Sequence, residues 1–64
     1  MKIWEVVLSV DSGELGSDMV AANDYQEAID KALKGATKRY KLDSKEAKSL
    51  YVSKVALYVE TDID

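Results

Sequence analysis

NDYQEAIDKAL, residues 23 to 33, is the segment on which the fold turns. Asp24 has the short acceptor side chain that a helix N-cap needs. Glu27 stands three residues on, at the spacing of a capping box. From there Tyr25, Ala28, Ile29, Ala32, Leu33, Ala36 and Tyr40 recur at helical spacing and make one apolar stripe. Gly35 either weakens the helix interior or ends it early. The flanking segments instead alternate with the two-residue period of strands. A helix is therefore set between strands.

Upstream, KIWEVVLSV (2–10) reads as the first strand. Trp4, Val6, Leu8 and Val10 share one face; Ile3, Glu5, Val7 and Ser9 share the other. DSGELGSD (11–18) carries turn chemistry, with two glycines free to take positive φ. SDMVAA (17–22) reads as a short second strand closing a hairpin. Downstream, Asp43 and Glu46 repeat the cap spacing and predict a short extra helical turn. In LYVSKVALYVE (50–60), Tyr51, Ser53, Val55, Leu57 and Val59 alternate with Val52, Lys54, Ala56, Tyr58 and Glu60. The order predicts one small α+β domain over residues 1–64, ββαβ. It is a three-stranded antiparallel sheet in the order 2-1-3 with a helix on one face. A right-handed crossover from the second strand sets the third beside the first.

Composition narrows the chemistry. The 64 residues include no cysteine and no histidine, so disulfides, thiolate metal sites and histidine acid–base relays are excluded. The three glycines match neither a P-loop nor a dinucleotide fingerprint, and DSGELGSD lacks the order of a calcium loop. A substrate-sized pocket is hard to build in so small a layer pair. A non-enzymatic protein without metal or cofactor is expected. No apolar run reaches the ~18–20 residues of a membrane span, and the amino terminus lacks signal-peptide features. The expected location is the cytoplasm, off the membrane.

Charge is segregated. KALKGATKRYKLDSKEAK, residues 31–48, holds seven of the nine basic residues, although the chain is net −3. A basic row suits phosphate contacts, with Arg39 as a bidentate donor. Glu27–Lys31 and Asp30–Lys34, however, are acid-first i,i+4 pairs that use up the first half of that row. Lys38, Arg39, Lys41 and Lys45 then remain as nucleic-acid candidates within 38–48. They are expected beside the hairpin turn, where Asp11 and Glu14 could partly neutralise them. The opposite end is expected to be acidic, with Asp24, Glu60, Asp62 and Asp64, and able to imitate DNA phosphates before a basic protein site.

One helix covers one sheet face. The alternation leaves Ile3, Val7, Val52, Ala56 and Tyr58 on the other, interrupted by Glu5, Lys54 and Glu60. Open faces of antiparallel sheets are normally polar, so this half-apolar face is the expected contact surface for another protein or for a second copy, with Tyr58 as its anchor. VAANDYQEAIDKALKGA (20–36), following a hairpin, resembles the helix entry of small orphan ββαβ proteins of phages and their hosts. The resemblance implies an accessory protein that acts by binding, such as an inhibitor of a host protein, DNA-binding proteins included. The alternative is a nucleic-acid-binding module.

Overall fold

A computed structural model describes residues 2–60. The hairpin β1 (Lys2–Val10) and β2 (Gly13–Ala22) comes first. Three short helices follow, α1 (Tyr25–Leu33), α2 (Ala36–Arg39) and α3 (Ser44–Ser49), and then β3 (Tyr51–Glu60). The sheet is antiparallel in the order β2-β1-β3, as the sequence predicts. α1 packs across all three strands, and α3 touches β1.

The second strand is longer than expected. Only Asp11 and Ser12 lie in the turn, and pairing begins at Val10 with Gly13. Part of the apparent turn segment is absorbed by a bulge at Leu15, between the Leu8–Gly16 and Ser9–Glu14 pairs. Leu15 thereby packs against the core rather than lying in a loop.

The helical region departs furthest from a single rod. Asp24 caps α1 by accepting the Glu27 N–H at 2.8 Å. The Glu27 carboxylate reaches one residue further back than a capping box requires, to the Asn23 N–H, also at 2.8 Å. At the far end Lys34 turns extended (ψ 121°) and Gly35 takes φ +78°. That left-handed conformation suits glycine, which lacks the Cβ that would clash. The chain then makes one turn of α2 and ends with Lys41 at φ +54°. The Leu42 N–H donates to the Thr37 carbonyl at 2.9 Å, the long-range bond of a Schellman cap. Asp43 and Glu46 form the full reciprocal capping box of α3.

The core is thin. Val6, Leu8, Val10, Ala22, Ala28, Ala32 and Ala36 are its buried apolar residues. Three alanines on the helical side let the helices lie close on the sheet, but they bury little area. Tyr25 and Leu33, from the predicted apolar stripe, stay exposed. Tyr40 reaches the core edge by crossing Gly16, where any Cβ would stand 3.2 Å from the Tyr40 Oη.

Candidate functional site

Two bulges in β3 decide what the uncovered face displays. Val52 pairs with Leu8 and Lys54 with Val7, leaving Ser53 as an extra residue; Leu57 pairs with Trp4 and Val59 with Ile3, leaving Tyr58 as another. Each extra residue switches the strand's alternation. Val52, expected on the open face, therefore opposes the fully buried Leu8 and packs against the core. Glu60 opposes Lys2 and also leaves the open face. Val59, expected on the covered face, opposes Ile3 on the open one.

The open face consists of four rows running from β2 through β1 to β3. The first is Ala21, Ile3 and Val59; the second is Met19, Glu5 and Ala56. The third is Ser17, Val7 and Lys54; the fourth is Glu14, Ser9 and Tyr51. Tyr58 joins the first row and Ser53 the fourth, each by alternation from the preceding residue. The Ser53 Oγ lies 2.9 Å from the Ser9 Oγ, consistent with that placement. Ile3, Val7, Ala56 and Tyr58 thus stand together as the sequence predicts. Met19, Tyr51 and Val59 join them. Met19 lies inside the expected second strand, 17–22, whose residues the sequence alone does not assign to a face, and Tyr51 and Val59 are hidden by the unbroken alternation assumed for β3. Tyr58 is 69% exposed, Met19 51% and Tyr51 50%. One ion pair crosses the face, Lys54 Nζ to Glu5 Oε1 at 3.9 Å.

The edges of the sheet are less inviting than the face. Both bulges break the outer strand β3, a common protection against strand addition. On β2, Lys31 Nζ donates to the Ala21 carbonyl at 2.8 Å while also pairing with Glu27 at 3.4 Å.

At the hairpin end, the basic segment divides by role. Arg39 is committed to the fold. Its guanidinium pairs with Asp18 and donates to the Ala32 and Lys34 carbonyls at 2.8 and 3.0 Å, tying the end of α1 to β2. Tyr40 Oη donates to the other Asp18 oxygen at 3.0 Å. Burial, and then the adjacent Asp18 carboxylate, push the Tyr40 phenol above its ordinary pKa. The expected Asp30–Lys34 pair does not form, because Lys34 has left the helix; Gln26 Nε2 donates to Asp30 instead, at 3.2 Å. Among the described residues, no carboxylate lies within ion-pair distance of Lys38, Lys41, Lys45 or Lys48. Asp11 and Glu14 thus make no direct ion pair with these lysines. A surface hollow at this end is lined by Asp11, Ser12, Asp43, Lys45 and Glu46.

At the other end, the Asp24 side chain is spent on its cap, and Glu27 is held below the ordinary carboxylate pKa chiefly by the Asn23 N–H and also by Lys31. Asp62 and Asp64 lie outside the described residues. Among the described residues, no cluster of acidic side chains is arranged to hold a metal ion, and no helix is long and apolar enough to cross a membrane.

No protein family, curated protein or solved structure compared with the chain matches it.

Proposed function

We propose that this chain is a non-catalytic protein-binding module that uses its open sheet face and the adjoining acidic end. The observation that carries the reading is the contiguous apolar strip of Ile3, Ala21, Met19, Tyr58 and Val59 on a face no helix covers. Apolar side chains gathered in one patch mark contact surfaces far more often than the same residues scattered singly. The resemblance to small phage-type proteins makes a host-directed inhibitor the concrete form, and the acid-bearing end suits a basic, DNA-binding target. Affinity capture with the wild type and with Met19→Lys or Tyr58→Lys tests this. Proteins retained by the wild type and lost with both variants support it; equal retention by all three, or no capture by any from a chain that is also monomeric, refutes it.

A nucleic-acid role has one specific observation in its favour, that Lys38, Lys41, Lys45 and Lys48 at the hairpin end make no ion pair among the described residues. Arg39 contributes least to it, since its fork is already occupied. Binding of a single-stranded oligonucleotide that weakens steeply with salt, by about 0.7 of a logarithmic unit per phosphate contact for each tenfold rise in salt, would support this second reading.

A further inference from the structure

We propose that the occupant of the open face is a second copy of this chain, stacked face to face about a two-fold axis that runs across the strands between the Glu5 and Val7 rows. The inference rests on the reading of that face as a protein-binding surface and names its partner.

The rotation keeps each strand over its own counterpart and exchanges the rows. Lys54 of one copy comes over Ala56 of the other, offset sideways by one strand spacing, about 4.8 Å, from Glu5 of that second copy across sheets about 10 Å apart, a gap the long lysine and glutamate side chains span. The face carries Glu5 and Lys54 in adjacent central rows and a second acid, Glu14, in the fourth; the two-fold creates two reciprocal Glu5–Lys54 pairs, lays Glu14 over Ala21, and sets no like charges directly opposite. The same operation lays Tyr58 and Val59 over Tyr51 of the second copy, twice, joining the three exposed apolar residues that β3 shows on this face. A self-complementary patch is what a two-fold interface requires.

Met19, Tyr51, Tyr58 and Val59, 42–69% exposed, are the apolar surface that the stacked copy would remove from water. The monomer also has a need for it. Val6 and Leu8 are the largest fully buried side chains, and no disulfide reinforces the fold. Chains of this size commonly obtain the missing burial by oligomerising. The blunted edges leave the face as the surface on which this can happen.

Sedimentation equilibrium and the concentration dependence of thermal unfolding test the proposal. The wild type is expected at twice its 7.1 kDa chain mass, with a midpoint that rises with protein concentration. Glu5→Lys should weaken the dimer about tenfold or more, and the double variant Glu5→Lys/Lys54→Glu should restore it, the pattern of complementary charges across an interface. Tyr58→Lys should give a monomer with an unchanged far-ultraviolet circular dichroism spectrum. A wild type that stays monomeric at about 100 μM, where even a weak specific dimer forms, overturns the proposal. So does a dimer indifferent to both Tyr58→Lys and Glu5→Lys. A monomer whose face variants still lose a captured protein leaves the protein-binding reading standing without the second copy; a monomer that captures nothing sinks both.

Discussion

The two bulges of β3, at Ser53 for Val52 and at Tyr58 for Val59, make a prediction opposite to that of simple alternation. An unbroken strand puts Val59 inside and Val52 outside; the observed register puts Val52 against Leu8 and leaves Val59 42% exposed. Truncating valine to alanine removes two methyl groups, and a fully buried group of that size is worth about 0.8 kcal/mol. Val52 is only partly buried, so Val52→Ala should cost about 1 kcal/mol, equivalent to a fall in Tm of about 4–8 °C for a chain this short. Val59→Ala should cost less than about 0.5 kcal/mol. The assay is urea unfolding followed by circular dichroism at low protein concentration, so that association contributes little. Equal slopes against urea would show that the two variants unfold from comparable states. As concentration rises, the Val59 penalty should grow and the Val52 penalty should hold. A Val59→Ala cost equal to or above that of Val52→Ala at low concentration refutes the register and the open face built on it.

Lys41→Gly should raise stability by about 0.5–1 kcal/mol, because φ +54° suits glycine and the Schellman cap is retained; a thermal melt that falls instead would show that the lysine side chain contributes to the fold. Asp24→Ala should cost about 1 kcal/mol in urea unfolding through loss of the α1 cap. Arg39→Lys should destabilise through loss of the fork that serves Asp18 and two carbonyls, whereas Lys38→Met should leave stability unchanged, which thermal melts of the two variants will show. Glu27 titrates below its ordinary value of 4.5 when folded, so its contribution is complete above that pH and is lost as pH falls through the folded value. The acid limb of Tm against pH should therefore be shallower for Glu27→Gln than for the wild type, and identical limbs would contradict the Asn23 and Lys31 contacts.

The local chemistry of the chain was legible without the fold. Asp24 and Asp43 cap helices in the structure because an N-cap is satisfied within one turn of backbone. The period-2 runs located all three strands, and the crossover rule placed β1 in the middle. Gly35 was ambiguous in the sequence, since a glycine can weaken a helix or end it; the return of Tyr40 over Gly16 accompanies the second outcome. Arg39 looked like a free cation because its acceptors, Asp18 and the Ala32 and Lys34 carbonyls, come together only when the helix breaks and folds over β2. Composition alone thus determined which catalytic chemistries the chain lacks, and local spacing determined where β1, α1 and α3 begin. Which valine of β3 is buried was decided by tertiary structure. The period-2 rule assumes an unbroken ladder, and a bulge exists only in the pairing of two strands far apart in the chain, so one extra residue at Ser53 and another at Tyr58 reassigned the face that the strand presents.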